Sequence, residues 1–377
     1  MRLLIAGDYC DNGRVSKHIL LGDYAFLFNQ IEPIVKNHDF SVVNFEFPIV
    51  ESEAKEIQKI GPCLRGHIQS IEAIQYAGFN VCTLANNHIL DQGDDCCLDT
   101  IRLLNEAGIM TVGAGRNIDE ASKTLFLNRN KKTLALINCC EHEFSIASNS
   151  KAGANPLNVI QQFYKIQEAR NRADYIIVIV HGGHEYFQLP SLRMQETYRF
   201  FIDAGADVVV NHHQHCYSGY EEYKGKIIFY GLGNFLFDNQ EEQLNGWNDS
   251  YMVSLELGEQ GLTSHQLIPY KQCKENPTIE LMKGAELECF QKRLAELNHI
   301  ISDSSTLYSH YQNWLEQNSD SMLALFEPWQ GRYTSALHRR GLLPTTFNKR
   351  KQLMLMNYLW CESHSDRLKY VLDKQLK

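Results

Sequence analysis

The chain has 377 residues, 44% hydrophobic and 21% charged, with a formal net charge of −9. That length exceeds what one hydrophobic core usually fills, so one large domain with an appendage, or two domains, is expected. The acidic balance argues against a nucleic-acid partner, and the densest basic run, Lys349-Arg350-Lys351, reads as a solvated helix start.

Residues 2–6 read as a buried strand ending in Gly7-Asp8, and residues 24–36, with Phe28, Ile31 and Val35 at helical spacing, as the return helix. A second strand, 41–45, delivers Glu46 and is stopped by Pro48. After a helix over 66–77, a third strand, 80–84, ends in Ala85-Asn86-Asn87-His88-Ile89-Leu90-Asp91-Gln92-Gly93. Cys97, Ile101, Leu104 and Ala107 then mark one helix face, and 110–113 resumes the sheet. This alternation predicts an α/β architecture.

Two apolar segments around Asn128-Arg129-Asn130-Lys131-Lys132 signal a hairpin, where a second, partly antiparallel sheet is expected to begin. A helix over 156–173 leads into the run 175–180, which stops at His181. Another over 192–204 leads into Val208-Val209-Val210, which stops in Asn211-His212-His213-Gln214-His215. Continuous Val and Ile runs fit strands covered on both faces. Short strands over 226–230, 235–237, 251–257 and 262–269 are expected to complete the second sheet. The predicted fold is α/β, a four-layer αββα sandwich of two mixed β-sheets filling residues 1–275. From about residue 276 the pattern turns helical, with stripes at Leu287/Phe290/Leu294/Leu297, Leu353/Met356/Leu359/Trp360 and Leu368/Val371/Leu372. Residues 276–377 are therefore expected to form a C-terminal helical appendage packed on the core.

The 11 cysteines are odd in number, scattered and without a CxxC pair. Reduced thiols in a cytoplasmic protein are the simpler reading. No run approaches the roughly 20 apolar residues of a membrane span, and the first strand is too short for a signal peptide, so no transmembrane segment is expected.

Asp8, Glu46, Asn87, His181, and His213 with His215 all stand at the ends of predicted strands. In α/β sheets, ligands gather beyond the carboxyl ends of such strands. Two divalent ions about 3.5–4 Å apart need a shared carboxylate and several further oxygen or imidazole donors. Two carboxylates, an amide and three imidazoles suffice for a two-ion centre. His213 and His215 would point to opposite sides of a regular strand but can converge from a turn. His88 follows Asn87 and can face substrate, with Asp91 within reach to orient it, so both are assigned to catalysis. His184 and His212 read as supporting histidines. Asn44, Glu185, Tyr186 and Asn234 are candidate substrate contacts, with packing or turn roles as the plainer alternative for the last three. Cys361 and His364 lie far from this set in sequence.

At these residues the chain resembles the CapA family of capsule and poly-γ-glutamate synthesis proteins, which have a metallophosphatase-like fold. The resemblance runs from Leu3 to about Pro269. It rests on Gly7-Asp8, Asn44-Phe45-Glu46-Phe47-Pro48, the full Leu-Ala-Asn-Asn-His-x-x-Asp-x-Gly block at 84–93, and Gly113-Ala114-Gly115. It continues in His-x-Gly-x-Glu-Tyr at 181–186, Ala-Gly-Ala-Asp…His-His-x-His over 204–215, and Gly233-Asn234-Phe235. The resemblance implies that Asp8, Glu46, Asn87, His181, His213 and His215 ligate metal, with Glu46 as bridge and His88 as general acid. The sequence departs from the pattern at Cys10, where the wider superfamily has His, at Asn211 in place of Gly, and at Gly182 in place of Trp. The implied activity is a divalent-metal-dependent hydrolase, using two ions drawn from Mn, Zn, Fe or Mg and attacking a phosphoester or, less in keeping with the pattern, an amide. Its setting would be capsule, exopolysaccharide or poly-γ-glutamate synthesis, with a small-molecule or polymer substrate and capsule synthesis proteins as partners. The alternative is a non-catalytic, metal-stabilised assembly or polymer-binding factor of a capsule synthesis complex.

Overall fold

The computed structural model describes residues 1–51, 54–239, 246–259 and 261–376. They fall into two compact units, Met1–Leu307 and Tyr308–Lys377. The strands in chain order are β1 (Arg2–Tyr9), β2 (Phe40–Phe45), β3 (Val81–Thr83), β4 (Met110–Val112), β5 (Ala114–Gly115), β6 (Leu125–Arg129), β7 (Lys132–Cys140) and β8 (Gly153–Ala154). They continue as β9 (Tyr175–His181), β10 (Val208–His212), β11 (Tyr220–Tyr223), β12 (Lys226–Phe229), β13 (Asn234–Leu236), β14 (Asp249–Gly258), β15 (Gly261–Gln272) and β16 (Ile279–Leu281).

One mixed sheet runs β16-β15-β14-β1-β2-β3-β4, with β13 also paired to β1, and the second runs β11-β12-β10-β9-β7-β6. Leu4, Ala6, Val43 and Cys82 of the first sheet share a buried cluster with Val15, Ile19, Ile74, Ala77, Cys97 and Leu104 from the covering helices. The alternate residues Leu3, Ile5, Val42 and Val81 are equally buried and face the other way. The second sheet has its own covering helices, Val159–Arg170 and Leu192–Asp203, started by Asn158 and Ser191, whose side chains accept from the backbone N–H of Gln161 and Met194. The four layers are thus helix, sheet, sheet, helix. Each large apolar side chain removed from water contributes about 1.5–3 kcal/mol.

The sheets are tied where they meet, as when Ala85 N–H donates to Asn138 Oδ1 on β7 at 2.8 Å. The hairpin expected near residue 130 is present as β6 and β7, turned by Asn130 and Lys131 at φ of 51° and 63°.

Two sequence expectations are corrected. The strands after β12 do not complete the second sheet. β14 runs antiparallel to β1, with Leu3 opposite Leu255, and β13 runs parallel to the end of β1, with Asp8 opposite Asn234. Glycine makes the second pairing possible, because a Cβ on Gly7 would sit 1.8 Å from the Gly233 carbonyl oxygen. Nor is the chain purely helical after residue 276, since Ile279–Leu281 forms β16 against β15. The helix Gly284–Ser302 buries Phe290, Leu294, Leu297 and Ile301, and the first unit extends to Leu307. In the second unit, the helices Arg332–Arg339 and Lys349–Trp360 bury none of their residues.

Candidate metal centre

The carboxyl ends of β1, β2, β9 and β10, together with the loop after β3, bring all six predicted ligands to one place. Asp8 and Glu46 are fully buried, and Asn87, His181, His213 and His215 are buried to within 8% exposure. His213 and His215 lie just past β10, both in the left-handed region at φ of 88° and 55°. That is the turn that lets two histidines one residue apart converge instead of pointing to opposite faces. Such backbone costs about 1–3 kcal/mol per residue and persists only where neighbours enforce it. Asn211 is one enforcer. Its amide donates to the carbonyls of Gly182, His212 and Tyr230 at 2.8, 2.8 and 3.1 Å, and its oxygen accepts from the Tyr198 hydroxyl at 2.6 Å.

Two donor sets form. His181 Nε2 lies 3.0 Å from Asn87 Oδ1, 3.1 Å from His213 Nδ1 and 3.4 Å from Glu46 Oε1. His215 Nε2 lies 3.9 Å from the same Glu46 oxygen, and His215 Nδ1 lies 3.7 Å from Asp8 Oδ2. Glu46, His181 and His213 offer ligand atoms all within 4.8 Å of one another, and so do Asp8, Glu46 and His215. Glu46 is common to both.

The protonation pattern fits cations. Neither Glu46 oxygen has a hydrogen-bond donor, although both are buried. Burial, and after it the charge of Asp8, pushes Glu46 well above the ordinary carboxylate range. Burial lifts Asp8 from 3.8 to about 7, against the opposing bonds from Asn44 Nδ2 at 2.7 Å and His213 N–H at 3.1 Å. Burial also holds His181 well below its usual value, lowers His213 and brings His215 down to about 3. Neutral imidazole is the ligating form. The hydrogen-bond network assigns the His215 tautomer: Nδ1–H donates to Asn234 Oδ1 at 2.8 Å, which turns the Nε2 lone pair toward Glu46. Glu143 Oε1 lies 3.7 Å from His213 Nε2, and His213 Nδ1 faces His181. His181 Nε2 and His213 Nδ1 thus face each other beside the donorless Glu46 oxygens, a donor set that fits divalent cations.

His88 sits beside this cluster. Its Nδ1 is 2.6 Å from Asp91 Oδ2, as the spacing predicted. Asp91 is fully buried and also accepts from Leu64 N–H at 2.7 Å and from Lys59 Nζ at 2.5 Å. Lys59 is a site residue that sequence reasoning missed. It lies between strands in a stretch without periodicity or motif, yet its side chain is only 3% exposed and its Nζ stands 3.1 Å from His88 Nδ1. Glu143 and Trp247 were missed too, the latter with its ring tilted 37° to His215 at a centroid distance of 4.9 Å.

The four predicted substrate contacts divide into two pairs. Asn44, 1% exposed, and Asn234, fully buried, stand behind the ligands and brace Asp8 and His215. Glu185 and Tyr186 are exposed at the rim, with the Tyr186 ring 6.3 Å from His215. Cys10 packs into the apolar cluster beneath β1 and belongs to neither donor set. His212 pairs with His181 across β9 and β10, and neither of its buried ring nitrogens has a hydrogen bond. At Gly182 the wall is supplied by Glu141, whose Cγ would lie 2.6 Å from a Cβ there.

The family model described as bacterial capsule synthesis protein PGA_cap matches residues 2–239, which carry every one of these ligands. The chain belongs to that family. Two relatives are named for capsule and PGA synthesis. The capsule biosynthesis protein CapA of Bacillus anthracis is 33% identical over 255 residues, covering 65% of this chain and 61% of that protein. The PGA biosynthesis protein CapA of Bacillus subtilis (strain 168) is 31% identical over 254 residues, covering 64% of each. The chain therefore spans less than two thirds of the length of these two relatives. A hypothetical protein from Thermus thermophilus superposes at a TM-score of 0.46 with 12% identity, over 72% of this chain and 99% of that one. No helix among the described residues is long and apolar enough to cross a membrane.

Proposed function

We propose that this PGA_cap protein is a hydrolase dependent on two divalent cations, acting on a phosphoester in capsule or poly-γ-glutamate synthesis. The observation that carries the reading is Glu46, a fully buried carboxylate with no hydrogen-bond donor, shared by two sets of ligand atoms. His181, His213 and Asn87 would hold one ion, and Asp8 and His215 the other, with Glu46 between them. What such a pair supplies when bound is activated water and neutralisation of charge on the reacting oxygens. The chain's own residues do the rest. Asp91 fixes the His88 ring through Nδ1, leaving Nε2 to give a proton to the leaving group. Tyr186 and Glu185 at the rim contact substrate. The free cysteines support a cytoplasmic setting.

The test is a panel of phosphomonoesters and phosphodiesters with Mn²⁺, Zn²⁺ or Mg²⁺ added. His88→Ala should lower turnover by about 10²–10⁴-fold while metal content is unchanged. Turnover retained in that variant would remove His88 from the reaction. A second reading, a metal-stabilised assembly factor for capsule synthesis proteins, is favoured by the exposed apolar side chains of residues 308–377. Metal-replete protein that hydrolyses nothing in the panel would select it.

A further inference from the structure

Within residues 325–360 the charge of the chain reverses. Arg332, Arg339, Arg340, Lys349, Arg350 and Lys351 stand against one acid, Glu327, in a chain whose net charge is −9. The single acid does not offset them. Glu327 is 5% exposed, and its carboxylate accepts from the Thr345 hydroxyl, from Thr346 N–H and hydroxyl at 2.8 Å each, and from Phe347 N–H at 3.2 Å. It holds the connection between helices Arg332–Arg339 and Lys349–Trp360. All six cations are exposed, and none is in an ion pair among the described residues.

Large apolar groups are exposed on the same two helices. On Lys349–Trp360, Leu353, Met356 and Trp360 fall at i, i+3 and i+7 and are 56%, 38% and 74% exposed, and Met354 and Leu359, 57% and 65% exposed, flank them on either side. The half-covered positions, Leu355 and Tyr358, lie on the opposite side. On Arg332–Arg339, Tyr333 and Leu337 are one turn apart and 80% and 38% exposed. A helix with Trp, Leu and Met on one side and Lys and Arg around them has the make-up of an interfacial helix, which buries its apolar face at the headgroup boundary while its cations meet anionic lipid. Six cations against one acid, with none of them in an ion pair among the described residues, favour an anionic lipid surface over a protein partner.

We propose that residues 325–360 form a surface that docks peripherally on an anionic lipid bilayer. The charge complementarity and the exposed aromatic and aliphatic face carry this independently of the metal centre. The short basic run that reads in sequence as a solvated helix start is then the electrostatic half of the contact.

The experiment uses the full, metal-replete chain in flotation with phosphatidylcholine vesicles, with and without phosphatidylglycerol. The chain should float with the anionic vesicles and not with the neutral ones, and added salt should lower its partition. Each surface cation strengthens the partition about fivefold, so combining Lys349→Glu, Arg350→Glu and Lys351→Glu should weaken it at least about 100-fold. Trp360→Ser should also weaken it, with the helical signal in circular dichroism unchanged. No flotation, equal flotation with neutral vesicles, or partition indifferent to salt would overturn the proposal. So would light scattering showing a concentration-dependent dimer that Trp360→Ser abolishes in a chain that ignores vesicles.

Discussion

The first unit and the helices of the second use the same periodic pattern of apolar residues and do opposite things with it. In the helix Gly284–Ser302 the stripe Phe290, Leu294, Leu297 and Ile301 is buried. In Lys349–Trp360 the equally regular Leu353, Met356 and Trp360 are exposed. Polar residues divide the other way. The first unit buries Asp8, Glu46 and four imidazoles at His181, His212, His213 and His215, while the helices Arg332–Arg339 and Lys349–Trp360 bury nothing. A helical period therefore tells which residues share a face, but not whether that face meets a core. A polar residue at the end of a buried strand carries the stronger functional signal, because burying it without a partner costs several kcal/mol by itself.

The contrast can be broken at its largest difference first. Leu297→Ala should destabilise the first unit by about 2–5 kcal/mol, the usual cost of a buried Leu side chain, read as a lower urea midpoint with unchanged slope. Next comes the bracing of ligands. Asn234→Ala removes the partner of His215 Nδ1 and should weaken metal affinity by about 10–100-fold, measured by competition with a chelator. An unchanged affinity would mean that Asn234 only shapes the turn.

The pH dependence sharpens the same comparison, because the buried carboxylates and imidazoles of the centre lie in the first unit. Asp8 is raised from 3.8 to about 7, so its contribution in the metal-free chain is fully present below its unfolded value and lost as pH rises through about 7. Glu46 acts in the same direction. His212 and His215, lowered from 6.5 to about 3, act oppositely, since their contribution is present above 6.5 and lost as pH falls toward 3. Between about pH 6 and 8 the carboxylates dominate, so the melting temperature of chelator-treated protein should fall as pH rises. The gain on adding Mn²⁺ or Zn²⁺ should widen over the same interval. A gain that narrows would contradict the charge balance described for the site. The smallest effect is Leu353→Ser, expected to change stability by less than about 0.5 kcal/mol, as surface substitutions do.

Much of this was legible in the sequence. The αββα layering follows from strands that are apolar on both faces alternating with amphipathic helices. The six candidate ligands follow from polar residues placed where those strands stop. Which sheet a strand joins was not legible. The run 251–257 has the same apolar pattern whether it pairs in one sheet or the other, and the choice rests on a pairing distant in sequence, Leu3 opposite Leu255 and Ile5 opposite Val253. Lys59 was hidden for a related reason. Its importance comes from reaching Asp91 across 32 residues, not from anything in its own neighbourhood. Asn211, by contrast, was visible as a departure from the family pattern, and it holds the turn that aims His213.

The central claim is that Glu46 is shared by two ions. Elemental analysis of the purified chain reconstituted with Mn²⁺ or Zn²⁺, compared with Glu46→Gln prepared alongside, tests it directly. The account predicts two ions per chain in the unaltered protein and loss of affinity for both in the variant, beyond the roughly 10–100-fold expected for an outer bracing residue. A variant that keeps two ions, or an unaltered chain that binds none, would contradict it.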